Sequence, residues 1–286
     1  MSEKVVELNN GGLSALVYNG QLVSLVHDKD KAEYFYGGGK PANSRTKRDN
    51  WGKNYSEFVA FPVFGPVNDF RVLVRGGEFP MDQHGIARLI PFEVEKQVRD
   101  GVSLVQRFNG GSMLENPRYH LSRGEPKYLK WPFSYSIKKE VCLRNDGKVA
   151  VDFTLENRTS DSMPFMFGWH PGFRIWGDAE DCIVGTGNAA YGLDDIVRAP
   201  KGVVKFEGTD FLIYGNKKTS RAVNVATHGF GNFVVCCKGE HTGMLFIEPV
   251  TDLPASHHNY FLPLGQFSSV RGNETRNFGV TLELLG

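Results

Sequence analysis

Apolar and polar residues alternate with a period of two along nearly the whole of this sequence, and that alternation restricts the fold more than any other feature. Leu13-Ser-Ala-Leu-Val-Tyr18, an Asn19-Gly20 pair and Gln21-Leu-Val-Ser-Leu-Val26 read as a hairpin closed by a two-residue turn. Residues 133–137 and 149–155 alternate in the same way, and Arg144-Asn-Asp-Gly-Lys148 supplies turn chemistry before the second of them. Residues 222–225, 233–237, 244–247 and 280–285 continue the pattern. Few windows carry a 3.6-residue period with caps, so helix is expected to be scarce. Short strands joined by turns, in a chain with 33 glycines, predict an all-β sandwich or barrel. No linker, composition shift or internal repeat divides residues 1–286, so one domain is expected.

Hydrophobic content of 41% and aromatic content of 12% are enough for a sizeable core. A formal charge of +1 gives no broad attraction to nucleic acid or to an anionic membrane, and neither is expected as a partner. No run approaches the roughly 18 apolar residues of a membrane span. Met-Ser-Glu-Lys is followed by no apolar signal-type stretch, and cytoplasm is the expected compartment. Cys142, Cys182, Cys236 and Cys237 show neither a disulfide framework nor metal-ligand spacing.

The segment Met163-Pro-Phe-Met-Phe-Gly-Trp-His-Pro-Gly-Phe173 ends an apolar run with an indole, an imidazole and a proline. Pro171 pushes His170 into an extended conformation and cannot donate to a ladder, so a strand is expected to stop there. Trp169 would stack on sugar C–H groups, while His170 would exchange protons near neutral pH. A hydrogen-bonded histidine in the core is the competing reading of His170. Leu245-Phe-Ile-Glu-Pro-Val250 repeats the arrangement with a carboxylate, and Glu248 is expected at a strand end. Its competing reading is a carboxylate that accepts backbone N–H groups from residues 249–256. Asp82-Gln-His-Gly-Ile-Ala-Arg88 places a second histidine, His84, beside a glycine, and Pro62-Val-Phe-Gly-Pro-Val-Asn68 leads into Arg71. Residues 36–48 form a Gly-rich, then basic, stretch without the ending of a nucleotide P-loop.

These motifs, in this order, resemble the aldose 1-epimerase (galactose mutarotase-like) superfamily, and within it the shorter bacterial branch. The resemblance runs through the early hairpin, Phe61-Pro-Val-Phe-Gly65, Gln83-His-Gly-Ile-Ala-Arg88, Trp131-Pro-Phe133, the strand ending in Asn157, the His170 segment and Phe246-Ile-Glu-Pro249. It implies a large antiparallel β-sandwich with a sugar pocket on a concave face. It also implies His170 as general acid and Glu248 as general base, with His84, Arg71 and Asp210 at sugar-binding positions. Arg88 contacts a substrate anion or braces its loop. The sequence departs from the family at Gly172, where relatives carry an aromatic, at Pro66 in place of an Arg, and at Leu264-Gly-Gln266 in place of Pro-Gly-Glu.

Anomer exchange asks for one base and one acid, without metal or cofactor. The substrate class is a free sugar or a sugar phosphate. Arg45, Lys47, Arg48 and Lys53, together with Arg71, Arg75 and Arg88, are the cations that would favour a hexose 6-phosphate. The alternatives are a sugar sensor or lectin on the same scaffold, and glycoside hydrolysis by Glu248 with Asp252 or Asp210. The expected geometry places His170 and Glu248 across one pocket, ~5–8 Å apart, with Trp169 or another aromatic as a wall.

Overall fold

In the computed structural model, which describes residues 4–36, 57–119, 124–239, 243–254 and 267–286, the period-two segments become antiparallel strands. The Asn19-Gly20 turn joins Leu13–Tyr18 to Gln21–His27 with both turn residues at positive φ (48° and 83°), the backbone twist a two-residue hairpin needs. Val5–Asn9 and Ala32–Glu33 flank this hairpin to make a four-stranded sheet.

The largest sheet has nine strands. Its order is Ala190–Gly192, Cys182–Gly185, Phe211–Asn216, Arg221–His228, Thr275–Leu285, Lys148–Asn157, Tyr135–Leu143, Gly101–Phe108 and Glu93–Gln97. In Tyr135–Leu143 every odd-numbered residue is buried and every even-numbered one is not, as a sheet with one wet face requires. A six-stranded sheet packs against it. Val203–Glu207, Asn232–Cys236, Met244–Val250, Gly168–Trp169 and Val59–Ala60 follow in order, with Gly172–Arg174 also paired to Met244–Val250.

Aromatic rings fill the space between these sheets. Phe61 meets Tyr135 edge-on (ring centroids 4.6 Å apart), Phe167 stacks on Phe278 (4.5 Å, 8°), and Phe153 lies 6.4 Å from Trp169. Such pairs add stability beyond the area they remove from water. Among the described residues, Leu193–Arg198 is the one α-helix, and no helix is long and apolar enough to cross a membrane. The four cysteines are free thiols.

One local expectation is corrected. Glu248 is not at a strand end but inside Met244–Val250, where Pro249 stands opposite Phe233. The other strand stops where Pro171 was expected to stop it: the His170 N–H donates to the Phe58 carbonyl (2.9 Å), the Phe58 N–H returns a bond to the His170 carbonyl (3.3 Å), and the pairing ends before Pro171.

Candidate active site

His170 and Glu248 lie side by side on the six-stranded sheet. Imidazole Nε2 is 3.1 Å from a carboxyl oxygen of Glu248, and the residues are 7% and 3% exposed. The strand pairing explains the meeting. Gly168 stands opposite both Ala60 and Val250, so the His170 segment runs between the strand leaving Phe58 and the strand carrying Glu248. The ring-width separation expected from the sequence is therefore wrong.

Aromatic side chains clamp the imidazole. Phe58 stacks on it (4.3 Å, 22°), Phe246 meets it edge-on at 4.4 Å, and His84 lies perpendicular at 5.1 Å. His84 is itself held by Phe58 and Phe64 at 5.4 and 5.1 Å. Phe64 can approach because residue 168 is glycine, where an added Cβ would fall 2.4 Å from its ring.

The loop that carries His84 is built by backbone geometry. His84 has φ 61° and Gly85 φ 74°, and a Cβ on Gly85 would sit 2.2 Å from the Phe61 carbonyl oxygen. A non-glycine residue at positive φ is costly and is retained where its surroundings hold it there. Here the His84 N–H donates to the Gly65 carbonyl (3.0 Å), and the Gly65 N–H donates to imidazole Nδ1 (3.2 Å). With Nδ1 accepting, the ring proton resides on Nε2, and the Gln83 side-chain amide 2.9 Å away accepts it only with its oxygen turned toward the ring.

Burial dominates the electrostatics. It pushes His170 down to about 3, with Arg88 and Lys238 adding to the shift. It also pushes His84 well below the ordinary histidine range and Glu248 well above the ordinary carboxylate range. Desolvation favours the neutral form of each group. Both shifts favour a proton on Glu248 over one on His170. Lys238 opposes the shift at Glu248, and its charge also reaches His84 and His170. It is exposed and lies two residues beyond Cys236, whose cross-strand partner is Phe246.

The other sequence-derived residues divide. Trp169 is not a pocket wall. It is fully buried, and its indole N–H donates to the Glu57 carboxylate, because alternation turns it to the face opposite His170. The aromatic rings beside His170 are those of Phe58 and Phe246. Arg88 braces its loop through a buried 2.8 Å pair with Asp82, to which Arg118 also comes within 3.7 Å.

Arg71 does not join the cluster: it pairs with Glu78 at 3.0 Å across its own hairpin and is largely solvated. Arg75 likewise pairs with Asp161 at 2.7 Å. Asp210 is exposed at the edge of Phe211–Asn216, a strand of the nine-stranded sheet, where its carbonyl accepts the Thr227 N–H. The Asp252 carboxylate takes the Thr251 hydroxyl (2.7 Å) and the Ser268 N–H (3.2 Å). Arg45, Lys47, Arg48, Lys53 and Gln266 lie outside the described residues.

Sequence reading missed Phe58, Phe246, Glu57, Lys139 and Lys238. Lys139 had a signal: it falls on the inward phase of an otherwise apolar alternation, where a lysine needs a buried partner. Among the described residues, three carboxylates gather at metal-ligand spacing, Asp178, Glu180 and Asp181, and Lys218 stands among them 2.9 Å from Asp181.

The sequence profile described as aldose 1-epimerase matches residues 4–186. The fold is similar to that of a galactose mutarotase-like protein from Lactobacillus casei, with 19% identity, a TM-score of 0.77 and coverage of 98% of this chain and 100% of that one. A galactose mutarotase related enzyme from Lactobacillus acidophilus gives 17% identity and a TM-score of 0.77, over 98% and 97% of the two chains. An aldose epimerase homologue from C. elegans gives 13% and 0.66, over 99% of each. Among curated proteins no sequence matches significantly.

Proposed function

Because this chain belongs to the aldose 1-epimerase family, we propose that it interconverts the α and β anomers of an aldose, with residues 1–286 serving as one sugar-binding unit. The observation that carries this reading is the buried His170–Glu248 contact at 3.1 Å. A pair that shares one proton is an acid and a base at once. Ring opening takes the proton from the C1 hydroxyl and gives one to the ring oxygen. The aldehyde turns about C1–C2, and closure on its other face reverses both transfers.

In the assignment implied by the family, Glu248 is the base and His170 the acid. Burial favours the opposite tautomer in the resting site. The two tautomers differ by one proton transfer along the existing contact. Sugar hydroxyls beside Glu248, and the Lys238 ammonium, favour the carboxylate that the reaction needs. His84 orients the sugar, and Phe246 supplies an apolar face for its C–H groups. A free aldose is favoured over a hexose phosphate because, among the described residues, Arg71, Arg75 and Arg88 each already hold a carboxylate.

Anomer-exchange NMR on a panel of aldoses tests the reading. Glu248→Gln keeps the shape and removes the proton carrier, so exchange is expected to fall by roughly 10²–10⁴-fold while sugar binding persists. His170→Asn is expected to match it. Binding without protein-dependent exchange in the parent protein would replace the enzyme with a sugar sensor.

A further inference from the structure

Behind the candidate site lies a buried charge cluster that the chemistry above does not use. Glu57 and Lys139 are each 1% exposed and form an ion pair between residues 82 positions apart. The Glu57 carboxylate takes three donors: the Lys139 ammonium and the Leu22 N–H (2.8 Å) on one oxygen, and the Trp169 indole N–H on the other. Lys139 also donates to the Gly20 carbonyl (3.0 Å). The cluster thus ties together the first hairpin, the nine-stranded sheet and the six-stranded sheet. Burial draws the Lys139 pKa down, and Glu57 opposes it.

An ion pair in this position is not the cheapest core. Replacing such a pair with apolar side chains is often neutral or stabilising, so stability alone does not account for it. Its sequence neighbours offer another account. Glu57 precedes Phe58, and Trp169 precedes His170. Alternation sends Glu57 and Trp169 to one face, while Phe58 and His170 stack on the other. The two backbones are joined by the paired hydrogen bonds between Phe58 and His170.

We propose that the Glu57–Lys139 pair, acting through Trp169, is a positioning device for the acid–base pair: it fixes the His170 imidazole against Phe58 and within reach of Glu248. This rests on the acid–base reading of His170 and Glu248. A misplacement of about 1 Å in a reacting group can cost on the order of 10²-fold in rate.

The test compares Trp169→Phe, which removes the indole N–H and keeps an apolar ring, with the double variant Glu57→Gln/Lys139→Met, which removes both charges together. Each is assayed for anomer exchange, for stability, and for the ¹⁵N NMR signals of the His170 ring. In both variants kcat is expected to fall ~10–100-fold, KM to stay within about twofold, and the His170 signals to shift or broaden while the protein stays folded. Parental kcat and parental His170 signals, at any loss of melting temperature, would reduce the cluster to a core element and overturn the proposal. If the parent shows no anomer exchange, the enzymatic reading fails. The NMR comparison then still decides whether the cluster positions His170.

Discussion

Two buried carboxylates only a few side chains apart have opposite surroundings. Glu57 receives an ammonium, an indole N–H and a backbone N–H, whereas the described residues supply the Glu248 carboxyl with one partner, a neutral His170. The first is a satisfied charge, held in place by donors from three parts of the fold. The second is desolvated without matching donors among the described residues, and burial raises its proton affinity well above that of an ordinary carboxylate. Burial alone does not make a carboxylate reactive. The difference between a brace and a proton carrier lies in how many donors meet the group once water has gone.

The comparison can be broken most forcefully at the brace. Lys139→Met leaves Glu57 buried without its cation, and chemical denaturation is expected to show a loss of about 3–5 kcal/mol. Adding Glu57→Gln should restore most of it. If the single variant costs no more than the double, Glu57 does not depend on Lys139.

The sign of the field at Glu248 can be sharpened through Lys238. Its ammonium favours the Glu248 carboxylate and disfavours protonated His170. Lys238→Gln should therefore move both limbs of the activity–pH profile upward. The lysine is exposed, so shifts below about one unit are expected, shrinking further in high salt. Unmoved limbs would show that Lys238 does not act on the pair.

The smallest effect belongs to the cations that the sequence brought forward and the fold disperses. Arg71→Ala breaks an exposed pair with Glu78, so it should cost less than about 1 kcal/mol of stability and change anomer exchange by less than about twofold. A large rise in KM would return Arg71 to the sugar site.

Much of the architecture was legible because a period of two is a property of the strand itself. The first hairpin, the alternating Tyr135–Leu143 strand and the shortage of helix follow from residues close together in sequence. His170, Glu248 and His84 were legible through their short motifs, and the fold brings His170 into contact with both of the others. Distance and facing were not legible. Trp169 lies beside His170 in sequence, yet one step along a strand reverses a side chain, and the indole ends in the core. The 3.1 Å contact depends on Gly168 pairing with both Ala60 and Val250, a register set by residues far apart in the chain. Phe58 and Lys139 escaped notice because their roles depend on partners 112 and 82 positions away. Only the inward phase of Lys139 hinted at one of them.

The pH dependence of the anomer-exchange rate tests the central claim, that one proton is shared by a buried His170–Glu248 pair. Activity requires one proton in the pair. It is lost at the acid end when His170, drawn down to about 3, takes a second proton, and at the alkaline end when Glu248, raised by burial, gives up the first. The expected result is an acid limb far below the ordinary histidine range, near pH 3, so that the rate does not rise with pH between about pH 5 and about pH 7, where an unperturbed histidine would titrate. A rate that rises tenfold per pH unit through that interval would mean that His170 titrates like a solvated histidine, and the shared-proton pair would be wrong.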